Sequence, residues 1–204
     1  MQPTTVQVWL EWTLATLVGY VVGIPFVLFI SLSIYYSPSI DQATKPPFLI
    51  GLIGGAELGA TIGIAQWLVL RRHTTIGWFW VGASIVGGAL GLAPGMFVSE
   101  SIAPAIVVAY RFPEPWGAVW QYSPMWALFG LGLGMAQWWV LRRHARFVGW
   151  WIAANVIGWM VGQGALAPVA GLLPALVGIL GGDLAPGLIA GGITGSVLVD
   201  SEAR

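Results

Sequence analysis

The chain has no cysteine, so disulfides, thiolate metal sites and cysteine nucleophiles are excluded. Charge is almost as scarce. Eight basic and eight acidic side chains among 204 residues make up 8%, against about 25% in a typical soluble domain. So few charges cannot cover a water-facing surface. They sum to zero, which argues against a nucleic-acid partner. Catalytic signatures are missing as well. There is no H-E-x-x-H, no GxSxG and no P-loop, and no histidine lies inside an apolar run where it could ligate a haem or chlorophyll. The sequence therefore assigns no catalytic residue, no metal ligand and no specific cofactor.

What remains is apolar. Hydrophobic residues are 57% of the chain, with 29 glycines and 13 tryptophans. A helix needs about 20 apolar residues to cross the hydrocarbon core. Five segments meet that length: Trp12–Tyr36, Phe48–Leu70, Ile76–Val98, Pro124–Leu141 and Phe147–Pro168. A sixth, near Asp183–Val199, is short and can begin as early as Pro174. The composition thus predicts an all-α membrane protein, a single transmembrane domain over residues 1–204 with six crossings. The start MQPTTVQVWLEW carries no Lys or Arg before its apolar run, so a cleaved signal peptide is not expected and the first segment reads as a retained helix.

The few charges sort by side. Arg71, Arg72, Arg142, Arg143, Arg146 and Arg204 fall on one side, Lys45 and Arg111 on the other. The positive-inside rule makes the arginine side cytoplasmic and puts both termini there. Two outer segments, 101–110 and 169–180, are apolar but too short to span. They read as interfacial helices, with a re-entrant dip as the alternative.

The chain also repeats itself. GATIGIAQWLVLRRH (59–73) matches GLGLGMAQWWVLRRH (130–144) without a gap, and WVGASIVGGALG (80–91) matches WIAANVIGWMVG (151–162). The remaining helices align with the two halves of this hairpin. Trp12, Ala15, Thr16, Gly19 and Gly23 follow Trp80, Ala83, Ser84, Gly87 and Gly91, while Gly187, Gly191, Thr194 and Leu198 follow Gly59, Gly63, Gln66 and Leu70. The expected fold is a six-helix bundle of three parallel hairpin repeats (48–98, 119–170, and 174–200 plus 9–36) with pseudo-three-fold symmetry. The third hairpin joins the two ends of the chain, so the first and last helices should pack together.

Gly59, Gly63 and Gln66 share one helix stripe, as do Gly130, Gly134 and Gln137. The partner stripe is Trp-x2-Ala-[Thr/Ser/Asn]-x2-Gly-x3-Gly. Lipid tails are as apolar as leucine, so small residues four apart act through close backbone approach. The polar members of the stripes should form two layers: Thr16, Ser84 and Asn155, then Gln66, Gln137 and Thr194 nearer the arginine side. They either hydrogen-bond between helices or line a central path for a ligand or ion. Glu57 is the one carboxylate well inside an apolar run, and its repeat positions hold Leu128 and Ala185. It is an ion, proton or ligand candidate, or else an acid bonded to a neighbouring group near Thr61.

Arg71, Arg72, Arg142, Arg143 and Arg146 are candidates for anionic lipid headgroups. His73 and His144 close the two RRH turns and read as polar helix ends. Trp78, Trp80, Trp150 and Trp151 follow those turns and read as an interfacial belt.

The repeated GxxxGxxQWxxLRRH, followed each time by a Trp-rich helix, resembles a group of multi-pass membrane proteins of unassigned activity found in cyanobacteria and Chloroflexi-like bacteria. The matching residues are Gly59–His73, Gly130–His144 and, more weakly, Gly187–Leu198. The resemblance implies internal repeats, a membrane location and a bacterial source, and it transfers no catalytic residue. The functional expectation is a non-catalytic scaffold or accessory subunit holding a lipid-soluble ligand, such as a quinone or carotenoid, between its helices. A larger membrane complex or an oligomer is a further possible setting. The alternative is a channel or transporter for a small solute or ion.

Overall fold

The computed structural model describes residues 4–37, 47–112, 116–142, 149–164 and 186–196. Every regular element among them is helical: α1 (Thr5–Tyr35), α2 (Pro47–His73), α3 (Phe79–Phe97), a π turn (Val98–Ile102), α4 (Ala103–Tyr110), α5 (Trp116–Leu141) and α6 (Gly149–Gly164). Residues 186–196 form a last helix, α7. Among the described residues, three helical runs are long and apolar enough to cross a membrane: Thr5–Ile34, Pro47–His73 and Phe79–Tyr110. Large apolar side chains such as Phe29, Phe79 and Val108 stand exposed on the outside, as a lipid-facing surface requires. Arg143, Arg146, His144 and the segment 169–180 lie outside the described residues.

The helix bounds differ from the apolar runs in two instructive places. α1 starts at Thr5, ahead of Trp12. Thr4 caps it, its hydroxyl accepting from the Gln7 backbone N–H at 3.3 Å, which satisfies one of the free donors of the first turn. α5 runs back through Pro124 to Trp116. Proline is favoured at the first position of a helix, which is why the sequence suggests a start there. Here the helix tolerates it internally, and the Ser123 hydroxyl donates to the Val119 carbonyl one turn earlier at 2.6 Å.

Segment 101–110 is helical and continuous with α3. The backbone stays right-handed helical through Val98, Ile102 and Ala103. α3, the π turn and α4 are therefore one run of 32 residues, about 48 Å long at 1.5 Å per residue. That exceeds the roughly 30 Å hydrocarbon core. Pro104 cannot give the Glu100 carbonyl its helical N–H partner, and the chain takes up the defect as a wider π turn. The turn brings the Ser99 hydroxyl onto the Gln121 carbonyl of α5 at 2.8 Å. Arg111, at φ 50°, stops the run in the left-handed region.

The six long or terminal helices close into a ring, in the order α1, α2, α3, α5, α6, α7 and back to α1. At each seam a glycine sits where a β-carbon would strike the neighbouring backbone. A β-carbon on Gly19 would lie 2.5 Å from the Ile62 Cα, and one on Gly59 would fall on the Ser84 carbonyl. On Gly87 it would meet the Gly132 oxygen at 2.6 Å, and on Gly130 the Asn155 oxygen at 2.6 Å. On Gly158 it would meet the Ala190 Cα at 2.7 Å, and on Gly187 the Leu17 Cα at 2.8 Å. The last of these, with the Trp9 indole donating to the Gly192 carbonyl at 2.9 Å, packs the first and last helices together.

Two aromatic clusters fill the ring. Trp12, Trp80 and Trp151 anchor the one nearer the arginines, with Val8, Leu70, Ile76, Val140 and Leu141. Tyr20, Trp126, Phe129 and Trp159 anchor the other. The second cluster explains a difference between the hairpins. Gly55 and Gly88 touch backbone to backbone in the first. At the matching positions of the second, 71 residues on, Trp126 and Trp159 stack at 6.0 Å. One hairpin closes by removing side chains, and the other supplies two indoles that fill the shared interior.

Candidate functional site: the buried polar core

All six side chains of the two predicted polar layers are buried: Thr16, Ser84, Asn155, Gln66, Gln137 and Thr194. The two layers are knitted into one network. Gln66 Nε2 donates to Thr16 Oγ1 at 3.0 Å. Gln137 Nε2 donates to Gln66 Oε1 at 2.9 Å and to Ser84 Oγ at 3.0 Å. Trp151 Nε1 donates to Gln137 Oε1 at 3.3 Å, and Trp12 Nε1 donates to Thr194 Oγ1 at 2.9 Å. The layers merge because glycines 59, 63, 130 and 134 let the helix backbones meet, so a glutamine side chain spans the step between layers.

The short side chains bond back to their own helices. Thr16, Ser84 and Asn155 each donate to the carbonyl of the tryptophan four residues earlier, at 3.0, 2.9 and 3.0 Å. Thr194 donates to the Ala190 carbonyl at 2.7 Å. This back-bonding leaves each hydroxyl oxygen free to accept from a glutamine or indole. Gln137 has both amide hydrogens and its oxygen engaged, an assignment that rests on its partners. The network spends its polar groups on itself.

Gln137 is its hub. Gln137→Leu would leave Gln66 Oε1, Ser84 Oγ and Trp151 Nε1 without their partner. Inter-helix hydrogen bonds in membranes contribute about 0.6 kcal/mol each and up to about 1.7, so a loss of roughly 2–4 kcal/mol is expected. Thr61→Val should cost under about 1 kcal/mol, because among the described residues Thr61 Oγ1 bonds carbonyls of its own helix. Unfolding in mixed detergent micelles measures both. Equal stability of Gln137→Leu and wild type would refute the hub assignment.

Three tryptophans at matching positions of the aligned stripes meet beside the network. The ring centroids are 5.8 Å apart for Trp12–Trp80, 5.7 Å for Trp12–Trp151 and 6.1 Å for Trp80–Trp151, all edge to face. This corrects the interfacial-belt reading for Trp80 and Trp151, which are 0% and 1% exposed. Their neighbours Trp78 and Trp150, at 62% and 74%, fit that reading. The signal was present in the sequence: Trp80 and Trp151 lie on the same stripe as the seam glycines, and that stripe outweighs proximity to a turn. Trp80 Nε1 is buried without a partner among the described residues.

Glu57 stands apart from this core. It is half-buried on α2, and its Oε2 is buried with no hydrogen-bond partner among the described residues. The Thr61 hydroxyl donates to the Glu57 backbone carbonyl at 3.2 Å and to the Leu58 carbonyl at 3.1 Å, not to the carboxyl group. At the arginine end, Glu11 of α1 joins the end of α2: its Oε2 lies 3.4 Å from His73 Nε2 and 3.8 Å from Arg72. No three His, Asp or Glu side chains gather among the described residues in a way that could hold a metal.

No family model, curated protein or solved structure matches this chain.

The geometry thus carries the functional argument. Beyond the network, α3 and α5 flank an outward-opening groove of about 460 Å³. Val86, Leu90, Pro94, Leu128, Leu131 and Met135 line it, around the close approach of Gly87, Gly91 and Gly132. Its walls present apolar side chains and offer no charged group.

Proposed function

We propose that this chain is a non-catalytic multi-pass membrane protein of a bacterial inner membrane, a scaffold or accessory subunit that holds a lipid-soluble ligand between its helices. In this reading six helices cross the bilayer as three parallel hairpin repeats about a pseudo-three-fold axis, with both termini cytoplasmic. The repeat assignment is supported by seam contacts that recur at matching positions. Added β-carbons on Gly63, Gly134 and Gly191 would meet Ser84 Cβ, Asn155 Cβ and Thr16 Cβ at 2.7, 3.0 and 3.0 Å.

The observation that carries the functional reading is the closed core. Its polar side chains bond one another, and aromatic clusters fill the ring on either side. A conducting path needs groups free to replace the hydration of a solute or ion. Here the Gln137 amide, Gln66 Oε1 and the Thr16, Ser84 and Thr194 hydroxyls are already engaged. The apolar α3–α5 groove suits a quinone, a carotenoid or another lipid chain, as small-molecule sites are concave and mostly apolar.

The test is chemical. Protein purified in mild detergent should co-extract one apolar species, identified by absorbance and mass spectrometry of a solvent extract. Val86→Trp, which fills the groove from an exposed position, should lower its molar ratio at least about five-fold, equivalent to about 1 kcal/mol of lost binding. A wild-type extract with only bulk membrane lipid would refute the reading.

Glu57 favours a second reading, a transporter, because its buried carboxyl oxygen has no partner among the described residues. That reading expects solute or ion flux in liposomes that Glu57→Gln abolishes. Flux unaffected by the substitution would remove Glu57 from any path.

A further inference from the structure

The arginines at one end of the bundle are not equivalent, and their surroundings divide them. Arg72 lies 3.8 Å from the Glu11 carboxylate. Arg71 instead sits over an indole, with its guanidinium carbon 4.9 Å from the Trp67 ring centroid. Trp67 in turn stacks on Trp78 at 4.0 Å and 26°, and Trp78 is largely exposed. Arg142 repeats the arrangement 71 residues later. Its guanidinium carbon is 5.3 Å from the Trp138 ring and 5.6 Å from the Trp139 ring. Both residues make these contacts at the end of a long helix, and neither has a carboxylate partner among the described residues.

An aromatic face attracts a guanidinium without supplying a lone-pair acceptor, so it holds the charge in place and satisfies few of the five N–H donors. Those donors form a planar fork that matches a phosphate oxygen pair. Tryptophan at a membrane surface settles at headgroup level. An arginine fixed on such a ring is therefore presented to the phosphates of the same leaflet. Arg72 has its charge countered by Glu11 and stands in a different environment.

We propose that Arg71 on Trp67–Trp78 and Arg142 on Trp138–Trp139 form two matching sites for the phosphodiester of an anionic phospholipid, and that Arg72 is not part of either. The proposal rests on the membrane-spanning reading above but is independent of any apolar ligand. The aromatic platform sets each site, and the arginine supplies the recognition.

Purified full-length protein in detergent would be titrated with phosphatidylglycerol, with phosphatidylcholine, and with inorganic phosphate, reading lipid retention by native mass spectrometry and the thermal midpoint. Wild type should retain phosphatidylglycerol about five-fold better per site than phosphatidylcholine, the effect of roughly one basic residue near a surface. Arg71→Gln combined with Arg142→Gln should abolish that preference, and Arg72→Gln should leave it intact. Trp67→Leu, which removes the ring under Arg71 but keeps the arginine, should weaken the preference about two-fold. Equal retention of the two lipids by wild type would overturn the proposal, as would a preference that survives in the double variant or disappears in Arg72→Gln. A midpoint shift that inorganic phosphate reproduces at matched concentration would overturn the lipid assignment. Failure here would leave the co-extracted apolar ligand untouched, and absence of that ligand would leave the headgroup preference untouched.

Discussion

Gly59→Leu and Gly130→Leu should each abolish folding in detergent, with losses of at least about 3 kcal/mol, the upper end for overpacking. The obstacle at both positions is main chain. A β-carbon at Gly59 would fall on the Ser84 carbonyl and lie 3.0 Å from the Ile85 Cα. At Gly130 the matching atoms are the Asn155 oxygen at 2.6 Å and the Val156 Cα at 3.0 Å. A flexible side chain could swing away, but a helix backbone moves only by separating the helices. Separating α5 from α6 would stretch the Trp151–Gln137 hydrogen bond, and separating α2 from α3 would strain the Gln66–Gln137–Ser84 link that joins them through α5. Gly82 supplies the control. A β-carbon there meets nothing within 4 Å, so Gly82→Ala should stabilise α3 by roughly 0.5–1 kcal/mol through helix propensity. Thermal unfolding of the three variants, followed by helical circular dichroism, makes the comparison. If Gly59→Leu melts within a few degrees of wild type, the close approach of α2 and α3 is wrong.

The three core tryptophans should differ from one another in a predictable order. Replacing any of Trp12, Trp80 or Trp151 by alanine removes a fully buried indole and should cost about 3–5 kcal/mol. Replacement by phenylalanine separates packing from hydrogen bonding. Trp12 Nε1 donates to Thr194 and Trp151 Nε1 donates to Gln137, so Trp12→Phe and Trp151→Phe each leave a buried oxygen short of a donor. Trp80 Nε1 has no partner among the described residues, so Trp80→Phe removes an unsatisfied buried donor. Trp80→Phe should therefore be milder than the other two by about 1–2 kcal/mol. Equilibrium unfolding of the three phenylalanine variants decides it, and equal costs would show that the indole hydrogen bonds contribute nothing measurable.

Much of this core is legible in the residue order. Gly59, Gly63 and Gln66 fall on one stripe, Trp80, Ser84 and Gly87 on another, and spacing alone says that the two should face each other. The offset of 71 residues carries the same statement to Gly130, Gln137, Trp151 and Asn155. Pairing of the first helix with the last follows from Gly187, Gly191 and Thr194 lining up with the glycine half of the hairpin. Periodicity could not say whether the two polar layers surround a path or bond one another. That depends on a fraction of an ångström in helix separation, because a glutamine reaches across only when the backbones touch. Position next to a turn misled for Trp80 and Trp151, since one or two positions along a helix turn a side chain by about 100° or 200°. Trp78 and Trp150 meet the outside, while Trp80 and Trp151 meet the centre.

The sequence by itself determined the class: a helical, cysteine-free, charge-poor chain of apolar segments with arginines at one end and glycine stripes to bring helices together. These are properties of composition and of period, and they hold whatever the third dimension does. Only the tertiary structure decided that Gln137 joins Gln66, Ser84 and Trp151, that Arg71 rests on an indole while Arg72 lies near Glu11, and that 101–110 continues α3. Each depends on which atoms from distant parts of the chain come within about 3–6 Å, the range over which hydrogen bonds and ring contacts act. Sequence spacing describes one helix at a time, and such contacts exist only between helices or across a turn.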